Sequence, residues 1–487
     1  MLFNSFEYLI FLPLVSVLFF IVPHRYRWLH LLVSSYVFYM WWSPLYALLI
    51  MASTLVDYCA CLFMGTRSTS LRRHMGLAAS LACNLGLLFS FKYYNLFTNT
   101  AVFLFDKLGI SWSPPAFSVL LPVGISFYTF QTLAYTIDVF MGRQRPERHF
   151  GFFALYVSFF PQLVAGPIER SGNLLPQLHA RQFFSAPDAV MGLRLILWGL
   201  FKKMVVADRL SELADIVYAD PGSFPGGLVA MATAAFAFQI YCDFSGYSDV
   251  AIGSARILGI RLMTNFRRPY AASSIPEFWA RWHISLSTWF RDYLFIPLGG
   301  SRVNGHAWAR NILIVFAVSG LWHGASWTFV VWGFLHGVLY LLARGVSSAW
   351  DRLGMPPLAA WTRPGFVVLN FCVVLVTWVF FRAATIHDAA HAITQMATGW
   401  GLPVLPWKTG LFLTVSRLTM ISALDLEIMT ALVIFLLAIE HWLGDRPADV
   451  ALGKLPAFLR WGAYVLLTMA VLNLGAVEEK PFVYFQF

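Results

Sequence analysis

His323 lies in Gly320-Leu321-Trp322-His323-Gly324, inside a stretch from Asn311 to Leu342 that contains no Asp, Glu, Lys or Arg. An ionisable ring at bilayer depth is costly and marks a functional position by default. A neutral imidazole, with an ordinary pKa near ~6.5, can take a proton from a hydroxyl and return it to a departing thiolate. Those are the demands of acyl transfer from a thioester. A second histidine, His283, sits in Glu277-Phe-Trp-Ala-Arg-Trp-His-Ile-Ser-Leu-Ser287, where it can orient the first group or bind a donor. The run Tyr241-Cys-Asp-Phe-Ser-Gly-Tyr-Ser-Asp249 places two carboxylates after an apolar span. An ionised Asp at a helix centre costs roughly 2.5–3.5 kcal/mol, so Asp243 and Asp249 must be paired, cap a helix or face a wet cavity. Ser245 and Asp249 are spaced to orient one another on a helix. No Gly-x-Ser-x-Gly elbow, Walker A loop or HExxH pair appears, which removes support for serine hydrolase, ATPase and zinc protease readings.

The elements that must carry these groups are apolar helices. The chain has 487 residues, 59% hydrophobic and 12% charged, with mean hydropathy +0.67. Soluble domains carry about 25% charged residues, so this is a polytopic, all-α membrane protein. Apolar segments near residues 5–22, 28–42, 45–64, 76–96, 116–140, 190–206, 227–242, 311–342, 365–381, 428–443 and 460–477 predict about eleven transmembrane helices. Residues 150–166 carry Pro161 and Gly166 and read as re-entrant. As one helix, the charge-free stretch around His323 would reach about 48 Å, against roughly 30 Å of hydrocarbon. A break is expected at the glycines flanking Trp322-His323. His336 follows in Phe334-Leu-His-Gly337; on one helix it would point about 220° away from His323, and it reads as structural.

Residues 265–310 mix aromatics with charges and predict one or two interfacial or re-entrant helices on the cytoplasmic side. Glu277 and Arg281 are spaced to pair on one helix face, and Trp279, Trp282 and Trp289 suit an interface belt. Arg267, Arg268 and Arg281 can meet donor phosphates or serve as ordinary basic anchors. The net charge of +10 falls in short clusters: His24-Arg25-Tyr26-Arg27; then Arg67, Arg72 and Arg73; then Arg143, Arg145 and Arg148. These alternate with loops almost free of Lys and Arg, which puts the N-terminus outside the cytoplasm and gives no indication of nucleic acid. Met1 to Val22 lacks a basic leader and cleavage site and reads as a retained span. Cys59, Cys61, Cys83, Cys242 and Cys372 form no CxxC pair and read as small hydrophobes, with neither disulfide nor metal expected. No internal repeat is present. A single membrane domain over 1–487 is the simplest organisation, ending in an aromatic tail over 478–487.

Trp282-His283-Ile-Ser, the Asp243-to-Asp249 segment and Gly-Leu-Trp-His323-Gly together resemble the membrane-bound O-acyltransferase family. Leu121-Pro-Val-Gly-Ile-Ser-Phe-Tyr128 and Phe160-Pro-Gln-Leu-Val-Ala-Gly-Pro167 narrow the resemblance to its bacterial branch, nearest the alginate O-acetyltransferases. It covers most of Met1 to about Leu342 and the last few residues. The resemblance implies helices around a central tunnel, His323 as the catalytic histidine and His283 as its support. It implies an acetyl donor on the cytoplasmic side, acetyl-CoA or an acyl carrier protein thioester, with no bound cofactor. It further implies an inner-membrane location and a periplasmic acetyltransferase partner that decorates an exported polysaccharide.

The ending Pro481-Phe-Val-Tyr484-Phe-Gln-Phe487 is similar to endings in related systems, where the tyrosine is proposed as an acyl relay. A phenol becomes a nucleophile once a base takes its proton; such a tail can also be an interfacial anchor. The expected function is therefore membrane O-acetylation of an alginate-like polymer, with His323 and His283 catalytic and Tyr484 the relay. Asp243, Ser245, Trp282, Trp322 and Arg281 are expected to line the tunnel or meet the donor. Peptidoglycan and cellulose are the alternative acceptors, and a transporter or flippase is the alternative class.

Overall fold

The computed structural model describes residues 1–65, 69–115, 122–164, 166–356, 359–399, 411–476 and 480–485. Arg67, Leu121, Ala165, Gln486 and Phe487, named in the sequence reading, lie outside these residues, as do positions 478 and 479 of the expected tail. Every regular element among the described residues is helical, as the composition requires: at membrane depth each backbone N–H and C=O must be satisfied within its own segment.

Among the described residues, six helices are long and apolar enough to cross a bilayer: Pro44–Phe63, Ser70–Lys107, Gly226–Ile257, Trp327–Arg352, Ala360–Arg382 and Ala457–Leu474. The pair Leu411–Thr419 and Ala423–Leu443, bent by 115°, adds a seventh if it is one broken span. The other expected spans are helical but shorter. Phe6–Ile21, His24–Met40, Ile125–Phe140 and Ala186–Leu200 run 16, 17, 16 and 15 residues. The apolar segment at 150–166 is broken, with Phe150–Ser158 and Phe160–Leu163 separated at Phe159.

The helices gather into two compact units, Met1–Leu193 with Ala251–Met263, and Arg194–Val250 with Thr264–Phe487. In the first unit a buried carboxylate, Asp57 on Pro44–Phe63, accepts from Ser80 Oγ at 2.5 Å and from Asn84 Nδ2 at 2.8 Å. This is how an acidic side chain is accommodated inside a span without an opposite charge at those contacts. Cys61 and Cys242 are buried as small hydrophobes, whereas Cys59 and Cys372 are exposed on their helices.

The second unit holds every candidate site residue. Its central feature is the break expected near His323. Helix Gly305–His323 ends at the histidine, Gly324 is extended, and Ser326 caps Trp327–Arg352 by accepting Thr328 N–H. The two helices pack through glycine: a Cβ on Gly320 would lie 2.1 Å from the Phe329 carbonyl oxygen, and one on Gly333 the same distance from that of Phe316. Small residues let the backbones approach closely, so the hairpin fixes the ring at its own turning point.

Residues 265–310 form two short helices, Ile275–Arg281 and Ile284–Phe290, followed by a π-helical turn at Arg291–Phe295. Ser274 caps the first helix, and Glu277 pairs with Arg281 at 2.9 Å. The three tryptophans do not form an interface belt. Trp279, Trp282 and Trp289 are all buried, because the short helices fold inward and their indoles fill the unit's core.

Candidate active site

His323 is 1% exposed. Its ring is enclosed by Trp322, Trp332 and Phe381 at centroid distances of 4.9, 5.0 and 5.5 Å, with Tyr484 of the C-terminal tail at 5.5 Å. His283 stands 6.4 Å away, ring to ring. Two histidines and a phenol are thus brought together from a helix end, a helix junction and a chain terminus.

His283 occupies the left-handed region, with φ of 43°. That conformation is rare for a residue with a side chain and clusters at functional sites. Asn265 holds it there: its Oδ1 accepts Ser285 N–H at 3.2 Å and Ser285 O–H at 2.9 Å, and its backbone carbonyl accepts Ile284 N–H. Two donors on that oxygen fix the amide orientation. His283 Nδ1, at 3.2 Å from the same oxygen, must then carry its proton, leaving Nε2 as the basic nitrogen. Burial pushes His283 down to about 3, so the imidazole is neutral at any working pH. Phe244 lies edge-on at 4.5 Å.

The two aspartates are paired, not capping. Both lie inside helix Gly226–Ile257. Asp243 meets Lys203 at 2.8 Å, and Lys203 also meets Asp208 at 2.7 Å. Asp249 meets Lys202 at 2.7 Å, and the same ammonium donates to Ser245 at 2.9 Å. Ser245 and Asp249 are therefore joined through a lysine instead of directly. The lysines come from a π-helical turn, Phe201–Ala207, whose wider winding turns two consecutive side chains toward the same neighbour. Gly199 and Gly246 make the approach possible, since a Cβ on either would come within 2.7 Å of the other's carbonyl oxygen.

The tail reaches the site through this ion pair. Val483 N–H donates to Asp243 Oδ2 at 2.6 Å, Phe482 packs on Tyr247 and Phe244, and Tyr484 packs on Phe244 at 4.8 Å. Tyr484 is 9% exposed, and its hydroxyl has no hydrogen-bond partner among the described residues. Burial, and then the Asp243 charge, push the phenol well above its ordinary range. It stays protonated until a base takes the proton.

The remaining sequence candidates separate. Trp322 stands 5.7 Å from His283, bridging the two histidines. Trp282 is fully buried against Phe278 and Trp378 and supports the site from behind. Arg281 is tied to Glu277, to Asp445 at 3.1 Å and to the Arg267 carbonyl. His336 is satisfied structurally, with Trp279 Nε1 donating to its Nδ1 and Thr377 Oγ1 at 3.0 Å from its Nε2. Lys202, Lys203 and Asn265 were not singled out by the sequence reading. Adjacent lysines within an apolar segment, set against two buried carboxylates, were the available signal for the first two; Asn265 gave none.

A cavity of about 380 Å³ lies in the same unit, lined among others by Trp279, Ser287, Arg291, Phe316, Ser319 and Arg344. Ile312, Phe316 and Ser319 line it from one helix, and His323 continues the same i, i+4, i+7, i+11 stripe. No group of metal-ligating side chains stands together among the described residues.

The model of the family described as "MBOAT, membrane-bound O-acyltransferase family" matches residues 143–384. Over their full lengths this chain is 35% identical to a protein of Azotobacter vinelandii named "Probable alginate O-acetylase AlgI". It is 34% identical to a "Peptidoglycan O-acetyltransferase" of Helicobacter pylori, over 76% of this chain and 73% of the other. Against a "Teichoic acid D-alanyltransferase" of Bacillus subtilis the identity is 25%, over 56% and 71% of the two chains.

Proposed function

The chain belongs to the membrane-bound O-acyltransferase family, and from that membership we propose that it passes acetyl from a cytoplasmic thioester to the outer side of the bacterial inner membrane, for an exported, alginate-like polysaccharide. The observation that carries the reading is the His323–Tyr484 pair, a base and a nucleophile 5.5 Å apart between ring centroids in a buried enclosure. The donor is acetyl-CoA or an acyl carrier protein thioester. Its narrow thiol arm enters the cavity beside Ser319, follows the helix stripe toward His323 and meets Arg291 and Arg344 on the way.

His323 takes the proton from the Tyr484 hydroxyl as the phenol oxygen attacks the thioester carbonyl. The C–S bond breaks, the imidazolium returns the proton to the leaving thiolate, and an aryl ester remains on the tail. A periplasmic acetyltransferase partner then accepts the acetyl group and delivers it to the polymer. His283, with Nδ1–H fixed on Asn265, keeps a neutral Nε2 in the enclosure to orient the reacting groups. The water-poor surroundings strengthen these polar interactions. The alternation of basic clusters supports a periplasmic N-terminus. Alginate is preferred as acceptor because the alginate-named relative aligns over both full lengths; peptidoglycan is the second choice.

The test is polymer O-acetylation in cells carrying His323→Ala at normal membrane levels, with mass spectrometry of the C-terminal peptide. Acetylation is expected to vanish, and the wild-type peptide to carry an acetyl group on Tyr484. Full acetylation in His323→Ala would overturn the base assignment, and full acetylation in Tyr484→Phe would remove the relay.

A further inference from the structure

The tail does not simply lie in the enclosure; it is fastened along one ledge. Arg209 Nε donates to the Leu474 carbonyl at 2.7 Å, as helix Ala457–Leu474 ends. Ala476 N–H donates to the carbonyl of Met204, inside the π-helical turn, at 3.1 Å. Lys480 Nζ donates to Ser211 Oγ at 2.8 Å and to the Asp208 carbonyl at 3.2 Å. Val483 N–H donates to Asp243 at 2.6 Å. All four anchors belong to Met204–Ser211 or to Asp243, the residue that Lys203 of the same turn holds in place.

We propose that the turn Phe201–Ala207, with Asp208, Ser211 and Asp243, is a docking ledge that fixes the register of the tail, and that Asp243 is the positioning residue for Tyr484. The charges support this. Lys203 faces two carboxylates, Asp243 and Asp208, and Lys480 brings a second ammonium to the Asp208 end. A buried carboxylate is stable only when paired and hydrogen-bonded, so the ledge is completed by the tail it receives. The hydrogen bond to Asp243 fixes the backbone one residue before Tyr484. Apolar packing of Phe482 on Phe244 and Tyr247 would tolerate a slip along the chain; a single N–H meeting a single carboxylate oxygen does not. This inference rests on the relay reading for its purpose but not for its geometry.

The experiment is hydrogen exchange by mass spectrometry on the full-length protein in nanodiscs, read on the peptide that ends the chain. Wild type is compared with Asp243→Asn, Lys480→Met and Val483→Pro; the last deletes the N–H at the first residue of the tail's own 3-10 turn, Val483–Phe485, without touching the helices that form the ledge. The same preparations, incubated with acetyl-CoA, are scored for the acetyl adduct on Tyr484. Tail amides are expected to exchange at least tenfold faster in all three variants, with peptides from Gly226–Ile257 unchanged in the two tail variants. Tail exchange equal to wild type in both Lys480→Met and Val483→Pro would overturn the ledge, and these tail substitutions leave the helices that form it intact. If wild type never carries an adduct while the variants loosen the tail, the relay reading fails and the ledge stands.

Discussion

Asn265 Oδ1 stands 3.2 Å from His283 Nδ1 and is held in that orientation by two donors from Ser285. The arrangement decides which nitrogen of a buried imidazole carries the proton, and so which one can accept another. Replacing Asn265 with Leu removes the acceptor at similar volume. Leaving a buried donor unsatisfied costs about 1–3 kcal/mol, and the tautomer is no longer imposed. We expect kcat for acyl transfer to fall about tenfold to a hundredfold, with KM little changed because Asn265 lies behind the ring. Steady-state kinetics with purified protein decide it; a kcat equal to wild type removes Asn265 as an orienting group.

Burial also sets how His283 couples to pH. Its folded-state pKa of about 3 lies below the unfolded value near ~6.5, so the unfolded chain binds the proton more readily. Stability therefore declines as pH falls from about 6.5 toward 3 and is unaffected by this group above that window. We expect the Tm gap between wild type and His283→Asn to narrow between pH 7.5 and pH 5. A gap independent of pH across that range contradicts the assignment. Any limb of the activity profile between pH 5 and 8 belongs to a different group and should persist in the variant.

Much of this site was legible from residue types alone, for a physical reason. Ionisable groups in apolar stretches are costly, so His323, Asp243 and Asp249 stood out, and the length of the charge-free stretch located the break after His323. What the sequence did not disclose depends on how helices wind and meet. The π-helical turn that aims Lys202 and Lys203 inward leaves no mark in the hydrophobic period. Asn265 works through a loop closure onto His283 that no local spacing encodes. The inward fold of residues 275–290 also reversed the expectation for Trp279, Trp282 and Trp289, because an aromatic residue suits an interface and a core equally well.

The hairpin that carries His323 should be intolerant of added volume. A Cβ on Gly320 or Gly333 would collide with a backbone carbonyl of the facing helix, which side-chain rearrangement does not relieve. Overpacking of this kind costs about 1–3 kcal/mol. Gly333→Ala is expected to lower the Tm and, by moving helix Gly305–His323, to reduce the Tyr484 adduct. Differential scanning fluorimetry in detergent reads the first and peptide mass spectrometry the second. A variant with wild-type Tm shows that the helices are not in close contact there.

His336 offers the contrast to His323. Both rings touch Trp332, at 4.9 and 5.0 Å, yet their surroundings differ in kind. Trp279 donates to His336 Nδ1, so Nε2 carries the proton and donates to Thr377 Oγ1, whose own hydrogen goes to the Val374 carbonyl. No lone pair or proton on that ring is left for a substrate. His336→Ala opens a cavity and strands the Trp279 N–H, which together should cost about 2–4 kcal/mol. Adduct formation per folded molecule should stay within about threefold of wild type, because no reacting atom is lost. His323→Ala, at a ring buried as deeply, opens a cavity and lowers the Tm as well, but it should also lose the adduct from the molecules that remain folded. Measuring both quantities in both variants separates structure from catalysis, and loss of the adduct in fully folded His336→Ala would transfer the catalytic role to the second ring.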